Sequence, residues 1–275
     1  MVYSILVNRW KGNKLMHYRI IDFHTHAFPE MVEEKAIKHL GRHYRIEIPY
    51  RGRIEDLMES AAKINAEKLV IHASATHAGQ VENVNNWIAS IISSKIIGFG
   101  TLHPDYPYVE KELDRIERLG LQGIKLHPEF QQFNIDDPKM FPIYEAISER
   151  LPILMHVGDE TLEYSSPKKL ARVLDKFPKL RVVAAHLGGY AKWDEAKKFL
   201  IGRDIFLDTS STLWRLEPEE AVLLIRNHGV NKVVFGTDYP ITSHQEELDR
   251  FMALPLTDAE REKILFSNAH RLLKF

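Results

Sequence analysis

Short apolar runs alternate with longer amphipathic stretches along most of the chain. The runs consist mainly of valine, isoleucine, leucine and alanine, a composition typical of buried parallel strands. Between them apolar residues recur every three or four positions, as Val109, Leu113, Ile116 and Leu119 do, which is the period of a helix face. We predict strands at Ile20–His26, Lys68–His72, Ile96–Thr101, Gly123–His127, Pro152–His156, Leu180–His186, Ile205–Asp208 and Lys232–Asp238.

This order predicts an α/β fold of the (β/α)8 TIM-barrel class. Eight apolar strands, most of them followed by a helix, indicate a parallel sheet, and eight units suit a barrel in a chain of 275 residues. An open doubly wound sheet is the alternative, but no Gly-x-Gly-x-x-Gly follows any predicted strand. Without a repeat or a linker in the sequence, we predict one domain over residues 1–275.

Two segments lie outside the regular alternation. Residues 1–18 precede the first strand and are predicted to form a short N-terminal extension or a hairpin around Lys11-Gly12-Asn13-Lys14. The segment from residue 27 to residue 53 is too long for an ordinary strand-to-helix loop and contains a predicted helix at Glu30–Leu40. We therefore expect an insertion after the first strand that lies over the site.

Composition and charge exclude several classes of partner. Hydrophobic residues make up 44% and charged residues 27% of the chain, as in globular proteins, and the formal net charge is -1. This charge predicts no binding to nucleic acid or to a membrane surface, and no apolar run approaches the length of a membrane span. We read no signal peptide and expect a cytoplasmic protein, with a homodimer as the default assembly. Because cysteine is absent, any metal must bind nitrogen and oxygen donors.

Histidine and aspartate residues collect where the predicted strands end. His24 and His26 alternate with Thr25 and so project from the same face of the first strand. The ends of later strands add three more donors: His156, His186 and Asp238. Each alone could be an ordinary hydrogen-bonded side chain, but the carboxyl ends of barrel strands meet at one rim. We therefore predict that the five donors converge on one metal site.

The same stretches resemble a known family. The motifs are Ile-Asp-Phe-His-Thr-His, Gly-Ile-Lys-Leu-His-Pro, Leu-Met-His-Val-Gly, Ala-Ala-His-Leu-Gly-Gly, Phe-Gly-Thr-Asp-Tyr-Pro and the C-terminal Asn268-Ala269-His270-Arg271-Leu272-Leu273. In this order they resemble the amidohydrolase superfamily from about residue 19 to residue 275. The branch resembled is the amidohydrolase-related group that contains aminocarboxymuconate semialdehyde decarboxylase.

The resemblance implies roles for these residues. His24, His26, His156 and Asp238 would bind one divalent metal ion, and His186 would lie beside it as an acid/base or substrate-polarising group. Asp238 would also take up a proton during catalysis. Zinc suits this donor set best, although manganese, iron, cobalt and nickel also fit nitrogen and oxygen ligands.

Four further residues are predicted to bind the substrate. Lys125 shares a strand face with His127, and His103 follows the third strand. In binuclear relatives a lysine on the fourth strand is carboxylated and bridges two metals; we expect Lys125 instead to be unmodified and to bind a carboxylate. Arg215, after the seventh strand, is a candidate anion clamp, since a guanidinium matches a carboxylate.

Hydrolysis of a small molecule is the first functional hypothesis. A metal ion lowers the pKa of its bound water and polarises a carbonyl, which suits attack on a C–N or C–O bond. The alternative uses the same ligands for non-oxidative decarboxylation of an unsaturated or aromatic carboxylic acid. A TatD-like nuclease fits less well, because those enzymes carry a glutamate where Lys125 stands. A non-catalytic barrel is disfavoured, because every expected ligand is present.

Overall fold

The computed structural model describes residues 18–273, which form a barrel of eight parallel strands with helices between them. Neighbouring strands pair in chain order from β1 to β8. The strands are β1 Ile21–His26, β2 Lys68–His72, β3 Ile96–Thr101, β4 Ile124–Leu126, β5 Ile153–Met155, β6 Val182–Ala184, β7 Phe206–Asp208 and β8 Val233–Val234. The predicted (β/α)8 fold is confirmed.

The last strand returns to the first through the backbone. Phe23 N donates to Phe235 O at 2.8 Å, and Asp238 N donates to His24 O at 2.8 Å. An isolated parallel bridge joins Thr25 to Tyr239. The residues that follow β8 therefore lie directly beside the end of β1.

Helices connect the strands on the outside of the barrel. They are α1 Glu30–Tyr44, α2 Ile54–Ala62, α3 Val81–Ser90, α4 Val109–Arg118, α5 Pro128–Gln131, α6 Phe141–Ile147, α7 Pro167–Lys176, α8 Trp193–Phe199, α9 Pro218–His228, α10 His244–Ala253, α11 Asp258–Glu262 and α12 Asn268–Leu273. A π-helical turn, Lys263–Ser267, precedes α12. Shorter 3-10 turns lie at Ala78–Gln80, Pro138–Met140, His186–Gly188 and Val230–Lys232. No helix within residues 18–273 has both the length and the apolarity that a membrane crossing requires.

Several strands are shorter than predicted, because the backbone turns before the polar residues are reached. β6 ends at Ala184 and β8 at Val234, whereas the predicted strands ran to His186 and Asp238. His186 has a φ of 61° and Asp238 a φ of 64°, in the left-handed region that few non-glycine residues adopt. Such residues cluster at functional sites. Both side chains are thus presented from turns above the barrel.

The segment after β1 contains the predicted helix, which is longer than expected. Helix α1 runs to Tyr44 rather than to Leu40. His43 Nε2 lies 2.7 Å from Asp159 Oδ2 in the loop after β5, so the C-terminal end of α1 contacts the opposite side of the barrel mouth. Apart from residue 18, the predicted N-terminal extension lies outside the described residues.

The core has two layers. One lies between strands and helices; the other fills the barrel interior with side chains such as Phe23, Phe99 and Leu154. Ala269 and Leu272 of α12 join this inner layer. Asn268 anchors the helix, because its buried amide donates to Val230 O and Val233 O, each at 2.7 Å. The apolar interior therefore occupies one end of the barrel, and the polar residues occupy the other.

Candidate metal centre

The predicted donors from β1 and β8 meet at the barrel mouth. His26 Nε2 lies 3.2 Å, and His24 Nε2 3.4 Å, from the same oxygen of Asp238, Oδ1. The other oxygen of Asp238 accepts a hydrogen bond from Ser211 Oγ at 2.5 Å. One carboxylate oxygen of Asp238 therefore faces both histidines.

His156 and His186 complete the convergence from across the barrel. His186 Nε2 lies 3.0 Å from His156 Nδ1, and the imidazole rings of His24 and His186 are 5.2 Å apart. Donor atoms of His24, His186 and Asp238 lie within 4.8 Å of one another. All five donors predicted from the sequence thus lie in one cluster.

Hydrogen bonds on the far side of three rings determine where their protons lie. His156 Nε2 is 2.8 Å from Gly158 O, His186 Nδ1 is 3.0 Å from Ser210 O, and His24 Nδ1 is 2.8 Å from Asp208 Oδ2. Carbonyl and carboxylate oxygens only accept, so these nitrogens carry protons. The opposite nitrogen of each ring, when that ring is neutral, presents its lone pair to the centre of the cluster.

This arrangement of lone pairs fits a metal ion. Two lone pairs, on His156 Nδ1 and His186 Nε2, face each other at 3.0 Å, a repulsive contact that a shared proton or a nearby metal ion would relieve. Burial lowers the pKa of His24 to about 4, and the charge of Lys125 acts in the same direction. Burial also lowers the pKa of His156 well below its usual range. Neutral imidazoles beside a carboxylate form the donor set that divalent metals bind.

Gly158 of the His-Val-Gly motif is required by the close approach of two loops. Its φ is 88°, and a Cβ atom there would lie 2.4 Å from Tyr190 O. The same close approach lets Tyr190 N donate to Val157 O at 2.8 Å. A side chain at Gly158 would displace the loop that carries Tyr190 and the carbonyl that orients His156.

Asp208, for which the sequence suggested no role, orients two of the donors. Its Oδ2 accepts from His24, and its Oδ1 accepts from the backbone nitrogens of His186 and Ser210 at 3.1 and 3.0 Å. Burial alone would raise the pKa of Asp208, but the charge and hydrogen bond of His24 lower it to about 2. Its position at the end of the seventh strand was the signal that could have identified it. Carboxylates in this position fix the tautomer of a metal-binding histidine.

We predict that Asp208→Asn lowers metal affinity by about 10- to 100-fold, the usual effect of losing such a partner. An asparagine has one acceptor oxygen, so its amide group would face a donor at either His24 or His186. Competition with a chromophoric chelator measures the affinity. Asp204→Asn is the control, because Asp204 is 98% exposed and pairs with Lys232 away from the site. Equal affinities for the two variants would refute the role.

Lys125 lies beneath the cluster and does not line an open pocket. Its Nζ is 3.1 Å from His24 Nε2, and the side chain is fully buried. Burial lowers its pKa to about 8, although Asp238 and Asp208 act in the opposite direction. His72 also belongs to this buried group, since its ring lies 4.4 Å from that of His26, and neither of its nitrogens has a hydrogen-bond partner among residues 18–273.

His127 lies against the cluster through a stacked ring. Its centroid is 3.9 Å from that of His156, and its Nε2 is 3.0 Å from the hydroxyl of Tyr44. Its other nitrogen lies 3.6 Å from Glu129 Oε2. Tyr44 and Glu129 were not predicted, and only the insertion after β1 indicated that a side chain such as Tyr44 would reach the mouth.

The structure places the other two predicted substrate-binding residues farther out. His103 Nδ1 accepts from Asp105 N at 3.2 Å, and within residues 18–273 it makes no hydrogen bond or ring contact with the five donors. The guanidinium of Arg215 lies 4.8 Å from the ring of Tyr190 and pairs with Glu160. Arg215 therefore lies at the mouth of the site, where the ring of Tyr190 separates it from the cluster.

A small recess opens above the donors. Its walls are mainly aromatic and aliphatic and its floor is polar, as in many small-molecule sites. It is lined by Tyr44, Ile46, His156, His186, Tyr190, Ser211, Trp214, Asp238 and Ile241.

Several proteins that this chain resembles in sequence are named as decarboxylases. Gamma-resorcylate decarboxylase of Polaromonas sp. is 22% identical over 269 aligned positions, which cover 77% of this chain and 81% of the relative. The decarboxylase orsB of Emericella nidulans is 27% identical over 126 positions, or 38% of this chain and 37% of that protein. The 2-amino-3-carboxymuconate-6-semialdehyde decarboxylase of Dictyostelium discoideum is 25% identical, over 57% of this chain and 55% of the relative. The chain covers less than two thirds of the length of the last two.

Solved structures share the fold at lower identity. The 5-carboxyvanillate decarboxylase of Sphingomonas paucimobilis has a TM-score of 0.75 at 16% identity, covering 94% of this chain and 99% of the other. A dihydroxybenzoic acid decarboxylase of Polaromonas sp., solved with manganese and an inhibitor, has a TM-score of 0.69 at 16% identity, over 94% and 97%. A probable 2-pyrone-4,6-dicarboxylic acid hydrolase of Acinetobacter baumannii has a TM-score of 0.67 at 17% identity, over 94% and 100%. The barrel alone therefore does not distinguish decarboxylation from hydrolysis.

The sequence model of the amidohydrolase family covers almost all of the described barrel. It matches residues 21–275, from the start of β1 to the end of the chain. With the sequence relatives and the shared barrel, this match establishes that the chain belongs to the amidohydrolase family.

Proposed function

We propose that the protein is a metal-dependent decarboxylase of an aromatic or unsaturated carboxylic acid. The observation that carries the proposal is the convergence of His24, His156, His186 and Asp238 beneath a recess with aromatic walls. The names of the sequence relatives support decarboxylation over hydrolysis, which was the first expectation from the sequence. None of those names supports a nuclease or a non-catalytic barrel.

His24, His26, His156 and Asp238 would hold one divalent metal ion. When bound, the ion supplies a Lewis acid that binds and polarises oxygen atoms of the substrate. Related structures contain manganese, which makes Mn²⁺ the first ion to test, followed by the zinc that the donor set suggested. We keep the expectation of a single ion and an unmodified Lys125.

The side chains around the donors suit a planar acid. Tyr44, Tyr190 and Trp214 are wall residues against which a flat ring can pack, and they exclude water from it. His186 is the group we assign to proton transfer. Its Nδ1 proton is held by Ser210 O, which leaves Nε2 as the atom that takes up a proton and delivers it.

The proposed reaction consists of protonation followed by loss of CO2. His186 Nε2 delivers a proton to the substrate carbon that bears the carboxylate. The bond from that carbon to the carboxylate then breaks, CO2 leaves, and the electron pair of the broken bond restores the unsaturated system. Asp238, whose Oδ1 faces His24 and His26, is the second group able to relay a proton at this position.

The experiment compares two classes of substrate on the same preparation. The purified full chain, loaded with Mn²⁺ or Zn²⁺, is incubated with a panel of hydroxybenzoic acids and with a panel of lactones and amides. We expect metal-dependent CO2 release from members of the first panel and no turnover in the second. Metal-dependent hydrolysis without CO2 release would overturn the proposal in favour of a hydrolase.

A further inference from the structure

One cation lies against two of the residues that line the recess. The guanidinium of Arg215 is 4.8 Å from the ring centroid of Tyr190 and 5.2 Å from that of Trp214, and both rings line the recess. The ring of Tyr190 is in turn 5.7 Å from that of His186. A single aromatic ring thus separates this cation from the cluster on the floor.

The only counter-ion of Arg215 that the described residues supply by direct ion pairing is Glu160. The two side chains are 25% and 42% exposed, so solvent screens their attraction and the pair contributes little to stability. A guanidinium binds any carboxylate in a favourable forked geometry. A ligand carboxylate with additional contacts in the recess can therefore replace Glu160.

The replacement requires no movement of the backbone. Asp159, the residue before Glu160, is held by His43 Nε2 and by the backbone nitrogens of Thr161 and Leu162, at 2.7 to 2.8 Å. The loop after β5 is therefore fixed, and rotation of the exposed Glu160 side chain is enough to free Arg215.

The described residues that line the recess supply no fixed positive charge of their own. Among the described residues that line it there is no lysine and no arginine. A substrate with one carboxylate would place that group at the donors on the floor. A second anionic group on the same molecule would find Arg215 next to Tyr190 and Trp214, about one aromatic ring from the donors.

We propose that Arg215 binds a second carboxylate of the substrate, and that Glu160 occupies the guanidinium until the substrate displaces it. The inference rests on the proposed function, which places the reacting carboxylate at the floor. It narrows the substrate class to aromatic or unsaturated dicarboxylic acids.

The test measures binding, so that it does not depend on turnover. Three probes are titrated calorimetrically into the full chain loaded with Mn²⁺: benzoate, benzene-1,3-dicarboxylate and the monomethyl ester of the latter. The variants are Arg215→Gln, Arg215→Lys and Glu160→Gln. Glu149→Gln is the control for a general change of charge, because Glu149 forms an exposed surface pair with Lys179.

We expect the dicarboxylate to bind about tenfold more tightly than its monoester, a typical gain from one charged hydrogen-bonded pair. Arg215→Gln should abolish this preference, and Arg215→Lys should retain part of it. Glu160→Gln should strengthen binding of the dicarboxylate by several-fold and leave the monoester unchanged. Glu149→Gln should alter neither.

Three results would overturn the inference: no preference for the dicarboxylate, no measurable binding of it to the unmodified protein or to Glu160→Gln, or equal effects of the Arg215 variants on all probes. Failure of the proposed function is distinct, since it would appear as absent CO2 release while the dicarboxylate preference remained. Equal CO2 release from monoacids and diacids in every variant would instead retain the function and reject the role of Arg215.

Discussion

Replacing His26 with alanine is expected to lower metal affinity by at least about 100-fold and to abolish CO2 release. This loss of affinity exceeds the usual effect of removing a residue that only orients a metal ligand. His26 Nε2 and His24 Nε2 share one oxygen of Asp238, so removal of His26 leaves His24 as the histidine paired with that oxygen. The side chain of His26 is 16% exposed, and its loss should therefore disturb folding little. Metal content after dialysis, measured by mass spectrometry, gives the result.

His228→Ala is the matched control for removing an imidazole. His228 is buried and bonds Ile205 O near the start of β7, at the opposite end of the barrel. We expect this variant to have a lower melting temperature but the metal content of the unmodified protein. Full metal occupancy in His26→Ala would exclude His26 from the ligand set.

His186→Asn is expected to retain the metal and to lower turnover by about 100- to 10,000-fold, the usual contribution of a positioned acid or base. The asparagine amide can still donate to Ser210 O, as Nδ1 of His186 does at 3.0 Å. It has no counterpart to Nε2, the atom assigned to proton transfer. Metal stoichiometry and the initial rate of CO2 release are measured on the same preparation.

Trp193→Phe serves as the control for this position. It removes the hydrogen bond from Trp193 Nε1 to His186 O, at 2.9 Å, and leaves the imidazole in place. We expect its rate to remain within a few-fold of the unmodified protein. Loss of metal from His186→Asn would contradict the acid/base role and make His186 a ligand, a role compatible with its 3.0 Å distance from His156. An unchanged rate would exclude both roles.

The donors could be predicted because a parallel barrel brings the ends of its strands together. His24, His26, His156, His186 and Asp238 all follow apolar runs, and the geometry of the fold alone directs such residues to one rim. The same rule applied to Asp208, but the sequence contained nothing to separate an orienting carboxylate from an ordinary strand end. Its role depends on a contact with His24, which lies 184 residues away.

For the predicted substrate-binding residues, the strand pattern was not enough to predict contact with a ligand. Lys125 and His127 share a strand face, yet Lys125 is buried beneath His24, whereas the ring of His127 stacks on that of His156. Whether such a residue contacts a ligand depends on ring orientation and on the path of helix α1, which brings Tyr44 to the mouth. Alternation along a strand predicts the face of the sheet from which a side chain projects. The loops above the strand determine whether that side chain can contact a ligand.

The sequence by itself determined the order of strands and helices, the barrel, and which side chains meet at its rim, because these follow from local periodicity and from the parallel topology. Tertiary structure alone decided which nitrogen of each histidine faces the centre, that Asp208 orients two of the donors, and that Glu160 covers Arg215. The reason is physical: a proton position or an ion pair depends on a distance of about 3 Å between residues remote in the chain. Periodicity within a strand or helix carries no information about such a distance.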